Sequence, residues 1–165
     1  MAIFTSSFAI FAKQKYSANT QQIGLVMTAI GVTNFIFRGL LIPKLIDLFK
    51  ERHLERMGVS LMLIGLITSL FAAQFLHQFP LVVIFAVGAG LNYPLMMGDI
   101  SRSVNENEQG AIIGVANSLD SLAHIIGPIV GGLALSGKNP NTFLLASAAS
   151  LCICLYLIFR ERKPY

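Results

Sequence analysis

GAIIGVANSLDSLAHIIGPIVGGLAL, Gly110 to Leu135, is the long apolar stretch of this chain that also carries an acid, an imidazole and a ladder of glycines. At about 1.5 Å of rise per residue, a helix of this length crosses a hydrocarbon core of roughly 30 Å. The stretch is therefore predicted to be a membrane helix. On such a helix Asn117, Asp120 and His124 stand at i, i+3 and i+7 and share one stripe, which Gly127 and Gly131 prolong toward the far end. A carboxylate among acyl chains costs several kcal/mol. The stripe is expected to look into protein or water.

The rest of the chain has the same character. Of its 165 residues 55% are hydrophobic and 12% charged, where a soluble domain has about a quarter charged; the mean hydropathy is +0.69. This composition predicts a polytopic membrane protein. The net charge of +4 is carried between apolar runs, where it sets orientation, and it is not read as nucleic-acid binding. Cys152 and Cys154 lie two residues apart within the last apolar run, so on a helix they point to nearly opposite sides. Neither a disulfide nor a metal site follows from them.

Outward from the central stretch, four more spans and a fragment are expected. Met1 to Ala12 is apolar but too short to cross, and it lacks the basic flank and cleavage site of a signal peptide; it reads as the second half of a helix. A polar connection, Lys13 to Gln22, leads to a span over Ile23 to Leu45. Along that span Met27, Gly31, Asn34 and Arg38 share a stripe, and Arg38 lies within snorkelling reach of the next loop. The charge-dense run Lys44 to Arg56 (KLIDLFKERHLER) is expected as an amphipathic loop or short helix at the membrane surface.

The second full span is placed at Met57 to Leu76. The third, Pro80 to Gly98, is expected to open on its proline, whose missing N–H costs nothing at a helix start. Within it Gly88, Gly90 and Pro94 loosen the helix beside Asn92 and Tyr93. A polar loop, Asp99 to Gln109, precedes the central stretch, and a turn, Ser136 to Thr142, separates it from a last span over Phe143 to Phe159 and a basic tail.

Alternation assigns Lys44, Lys50, Arg52, Arg56, Arg102, Arg160, Arg162 and Lys163 to one side, and Lys13, Lys15 and Lys138 to the other. The excess of cations then puts the tail in the cytoplasm, in a multi-pass protein of the plasma (inner) membrane.

Five and a half helices, the entry EQG at Glu108 to Gly110 and the run GPIVGG at Gly127 to Gly132 resemble the C-terminal half of a major facilitator superfamily transporter. Within it the chain is most similar to the tetracycline-efflux and drug:proton antiporter branch. The charged run after the first full span resembles the family's loop motif through Gly39, Asp47, Lys50 and Arg52, although Glu51 splits the basic pair and the usual neighbouring glycine is absent. The fold this implies is an all-α membrane protein: the C-terminal six-helix half of the superfamily fold, made of a partial helix 7 and helices 8–12. A missing N-terminal six-helix half is implied as partner, with substrate held at the midplane between halves.

On that footing Asp120 is the expected proton-coupling carboxylate, with His124 able to share the proton and Arg38 as its ion-pair partner; a purely structural Asp120–Arg38 pair is the equal alternative. Asn34, Asn92, Tyr93 and Asn117 are candidates for the substrate cavity. Gly127, Pro128, Gly131 and Gly132, with Gly88, Gly90 and Pro94, are assigned to helix packing or gating. No phosphate loop, convergent hydrolase constellation or metal cluster is legible, so neither an enzyme nor a cofactor is expected. The expected function is secondary transport, as proton-coupled efflux of a small lipophilic or cationic compound across the lipid bilayer. The alternatives are a non-transporting remnant or assembly partner, and uptake of a sugar or metabolite by the same fold.

Overall fold

The computed structural model describes residues 2–136 and 141–160, and among these the regular structure is entirely helical. Six helices follow in order: α1 (Ala2–Tyr16), α2 (Thr20–Leu48), α3 (Glu51–Phe71), α4 (Phe75–Arg102), α5 (Gln109–Leu135) and α6 (Asn141–Arg160). All but α1 are long and apolar enough to cross a membrane. Helices dominate because lipid offers no partner for a free N–H or C=O, so each crossing segment has to satisfy its backbone internally.

The helices run further than the apolar pattern suggests, and the expected loops shrink accordingly. α1 continues through Lys13 and Lys15 to Tyr16, where both cations sit in the last turn and complement its dipole. The remaining link to α2 holds Ser17 at φ 53° and Asn19, which caps α2 reciprocally with Gln22. The charged run Lys44 to Arg56 is not a separate surface element: α2 extends through Leu48, and α3 starts at Glu51. Pro80 stands inside α4, which starts at Phe75 and ends at Arg102. Past it, a short 3₁₀ turn at Glu106–Glu108 leads into α5. The turn expected at 136–142, with Lys138, and the tail cations Arg162 and Lys163 fall largely or wholly outside the described residues.

One irregularity has a clear cause. At Phe37–Leu41 α2 winds as a π-helix, and the Ile42 N–H bonds the Phe37 carbonyl, five residues back. Pro43 has no N–H to offer the carbonyl of Gly39; widening the turn lets the helix pass the proline. Arg38 and Gly39 lie in this segment.

The tightest packing joins α3 to α4. A Cβ on Gly88 would overlap the Gly58 carbonyl oxygen, and one on Gly65 would lie 2.8 Å from the Leu81 carbonyl oxygen, so these glycines set how closely the backbones approach. Beside them Phe4, Phe8, Phe11, Phe85 and Phe143 form the aromatic centre of the core, with Phe4 and Phe85 centroids 4.3 Å apart. Ring pairs of this kind contribute about 0.5–1.5 kcal/mol beyond their area.

At the end of the bundle where α1 stops and α4 begins, a buried polar knot ties three helices together. Ser69 Oγ donates to Gln78 Oε1 (2.7 Å), Gln78 Nε2 donates to Tyr16 Oη (2.6 Å), and Tyr16 Oη donates to the Ala72 carbonyl (2.8 Å). Lys15 Nζ reaches the Ser69 and Leu70 carbonyls that end α3. Gln78 is fully buried and its amide is satisfied on both sides, the condition under which a buried polar group stabilises. At the opposite end Arg102 bridges Glu51 of α3 through both guanidinium nitrogens and Asp99 at 2.7 Å.

α2 and α5 are the least buried of the spans. α2 packs on α4, and α5 on α1, α4 and α6. The buried residues of α5 are Gly127, Gly131 and Leu135; none lies between Gln109 and Ile126.

Three substitutions test this packing by thermal unfolding in detergent. Gly88→Ala lowers stability by about 1–3 kcal/mol, whereas Gly24→Ala in α2, with nothing within 4 Å of the added Cβ, leaves it unchanged or raises it by up to ~1 kcal/mol. Gln78→Leu lowers stability by about 1–3 kcal/mol, because the buried Ser69 hydroxyl then loses its acceptor and Tyr16 Oη keeps only its bond to the Ala72 carbonyl.

Candidate functional site

The polar stripe of α5 exists as the spacing predicts, and it faces outward from this bundle. Asp120 and His124 are one turn apart, with His124 Nε2 3.9 Å from Asp120 Oδ2 and side chains 55% and 47% exposed respectively. Asn117 is exposed on the same helix. Ser118 and Ser121 return their hydroxyls to the Gly114 and Asn117 carbonyls, each at 2.9 Å, which leaves the acid, the imidazole and Asn117 as this stripe's outward chemistry.

Arg38 is not Asp120's partner within the chain. Its guanidinium lies over the Tyr93 ring, 4.8 Å from the centroid, and Asp120's ion-pair contact is with His124. The reason is architectural: α2 carries Arg38 to α4, whereas α5 leans on α1, so the two charges stand on separate helices that are not packed on each other. Along their helices Arg38 and Asp120 lie about ten and eleven residues, roughly 15–17 Å, from the ends beside the Arg102 cluster, and Tyr93 lies about 14 Å from its own.

The remaining candidates divide between two faces. Asn34 Nδ2 bonds the Ile30 carbonyl at 2.9 Å, while its Oδ1 is buried with no hydrogen-bond partner among the described residues and lies against Gly90. With Arg38 and Tyr93 it forms a continuous polar patch where α2 crosses α4. Asn92 belongs elsewhere: its amide lies beside Gly58 at the α3–α4 contact, which separates it from Tyr93. Gly88 serves that same contact, and Gly90 lets α2 approach α4 through Asn34 and Phe37. In α5, Gly127 and Gly131 are buried, whereas Pro128 is exposed and Gly132 has open space where a Cβ would stand. Pro94 lies within α4.

Sequence spacing did not find the Tyr16–Ser69–Gln78 knot, because its members are far apart in the chain; a glutamine inside an apolar segment was the available signal. Among the described residues no group of His, Cys, Asp and Glu is disposed to hold a metal ion.

Long apolar helices, glycine-mediated crossings and mid-depth charges on two under-packed helices are now joined by a sequence match. The superfamily model described as Major Facilitator Superfamily matches residues 1–165. The chain belongs to the major facilitator superfamily. It is similar to the class G tetracycline resistance protein of Vibrio anguillarum, 30% identical over 96% of this chain and 40% of that protein. It is also similar to multidrug resistance protein 1 of Bacillus subtilis (strain 168), at 25% over 99% of this chain and 42% of that protein, and to human solute carrier family 67 member A1, at 23% over 98% and 38%. The chain spans about two-fifths of the length of these curated relatives. Membership makes it a multi-pass membrane protein of a transporter family, and not of an enzyme family.

The Arg38–Tyr93 contact is checked by thermal unfolding of the detergent-solubilised chain. Tyr93→Leu loses about 0.5–2 kcal/mol, the range for a cation over a ring, and Tyr93→Phe stays within about 0.5 kcal/mol of the parent, since the ring face is kept.

Proposed function

We propose that this chain forms one six-helix wall of a proton-coupled exporter of small lipophilic compounds, cationic ones included, in which Asp120, assisted by His124, loads and releases the coupling proton. The observation that carries the reading is the Asp120–His124 pair itself. A carboxylate and an imidazole 3.9 Å apart, at mid-depth of a membrane helix, are expensive to hold there, and such groups mark ion and proton paths. A carboxylate oxygen and a ring nitrogen one helical turn apart can share a proton without its leaving the stripe.

Direction and substrate class draw support from the relatives named for resistance to tetracycline and to multiple drugs: a membrane transporter confers resistance when it lowers the internal concentration of the compound. Arg38 on α2 and Asn117 on α5 are exposed, and with the half-buried Asn34 and Tyr93 they would contact substrate or the opposing wall. The excess of Lys and Arg at the ends joined by the Arg102 cluster favours a cytoplasmic C-terminus in the plasma membrane. Gly127 and Gly131, buried at the foot of α5, give the pivot at which that helix can tilt against α1 when the walls rock.

The test uses the assembled transporter in proteoliposomes with an imposed proton gradient. Asp120→Asn reduces proton-driven flux by about 100-fold or more, while exchange of labelled for unlabelled substrate, which needs no net proton movement, continues. Proton-driven flux at the parental rate overturns the assignment.

A further inference from the structure

α2 is held at two places, and the path between them is one residue longer than a plain α-helix needs. Toward its N-terminus it docks on α4: Asn34 Oδ1 and Phe37 Cβ would stand 3.3 and 3.4 Å from a Cβ added to Gly90, and Arg38 lies over the Tyr93 ring. Asn34, Phe37 and Arg38 are spaced i, i+3 and i+4, and Gly90 and Tyr93 i and i+3, so one face of each helix meets the other. Toward its C-terminus Ile42 is buried and the Ile42–Leu48 segment meets α3. Between the two the Ile42 N–H bonds the Phe37 carbonyl, where an α-helix would bond that of Arg38.

We infer that Pro43 is a positioning residue: by forcing the π-turn it sets the angle at which the N-terminal part of α2 meets α4, and so holds Asn34 against Gly90 and Arg38 over Tyr93. One residue is worth about 100° of rotation and ~1.5 Å of rise. Wound as a plain α-helix from the same buried Ile42, α2 would bring Phe35 to the place of Asn34 and Gly39 to the place of Arg38. The Tyr93 ring would then have no cation over it, and a phenyl ring would meet the backbone at Gly90.

Proline is suited to this task. In an α-helical path its ring would press on the Gly39 carbonyl and leave that carbonyl without a donor; for the helix resuming at Ile42 it stands in the first turn, where a missing N–H costs nothing. Gly39 itself meets nothing within 4 Å of an added Cβ, so no packing at that residue calls for the wide turn. That Asn34, Arg38 and Tyr93 meet the transported compound rests on the exporter reading, and under it Pro43 governs selectivity from outside the contact. The angle itself does not depend on that reading.

Removing the surplus residue tests this. With Gly39 deleted, the Ile42 N–H and the Phe37 carbonyl are four residues apart, and the bond that defines the π-turn becomes an ordinary α-helical one. Pro43→Ala accompanies the deletion, because the proline ring would otherwise press on the Arg38 carbonyl. Asn34→Cys and Gly90→Cys are introduced together with Cys152→Ser and Cys154→Ser, which remove the chain's own two cysteines. Disulfide formation between positions 34 and 90 is then measured in bilayers; it requires Cβ atoms roughly 3.5–4.5 Å apart.

Pro43→Ala alone lets the turn rewind and lowers the disulfide yield about tenfold or more, and deletion of Gly39 together with Pro43→Ala brings it back to within about twofold of the parental yield. A proline that merely stiffened α2 would not be replaced by the loss of a neighbouring residue. Thermal unfolding establishes which variants fold, and should Pro43→Ala not fold, the deletion variant decides alone. A parental yield in Pro43→Ala overturns the inference, as does a deletion variant that is unfolded or gives a low yield. The readout is a bond between α2 and α4 and not flux, so the exporter reading and this inference stand or fall separately.

Discussion

Lipid cannot hydrogen-bond and cannot solvate charge, and most of this structure follows from that. Backbone groups have to be satisfied within each helix, so the chain is helices with short links. Side-chain polar groups have to be satisfied by one another, and where they are, as at Tyr16, Ser69 and Gln78, they knit helix ends into a rigid block. Asp120, beside His124, and Arg38, over the Tyr93 ring, are instead exposed, and the helices that bear them are also those with the least covering. Under-packing and exposed charge thus coincide on α2 and α5.

The distribution of glycine divides the bundle in a parallel way. Gly58, Gly65 and Gly88 have neighbours within van der Waals distance of an added Cβ or closer, and they join α3 to α4 as a fixed pair. In lipid no transfer free energy favours helix association, so such close backbone approach and dispersion have to supply it. Gly24, Gly31, Gly110 and Gly114 have no such neighbours, and a helical glycine without a packing role forgoes up to about 1 kcal/mol relative to alanine. The closely packed glycines thus mark the α3–α4 contact, while most of those on α2 and the first half of α5 face open space.

The spans were legible because lipid thickness imposes a length and forbids charge, both visible in a single chain. Their ends were not. Lys13, Lys50 to Arg56, and Asp99 to Arg102 read as loops by polarity, yet a helix that has left the hydrocarbon continues into water at little cost, and lysine, glutamate and arginine are good helix formers. The π-turn at Phe37–Leu41 needed Pro43 to be recognised as lying within a continuing helix. Periodicity placed Asn117, Asp120 and His124 on one stripe because they share a helix. It could not say which helix α2 would touch, and that decided whether Arg38 met Asp120 or Tyr93. The same limit separated Asn92 from Tyr93: adjacent residues on a helix point about 100° apart, and one faces α3 while the other faces Arg38.

That limit also sharpens what the charges mean. An arginine and an aspartate on helices that do not touch are poorly explained as a structural pair of one chain, since a structural pair is selected for meeting. Arg38 lies six residues from Lys44, about 9 Å along the helix and within snorkelling reach of the surface, whereas Asp120 lies eleven residues, about 16 Å, from the start of α5. What remains is two exposed, oppositely charged groups on the two least covered helices. Under the exporter reading proposed above, a carboxylate so placed, with an imidazole one turn away, is a group positioned to take up and release a proton.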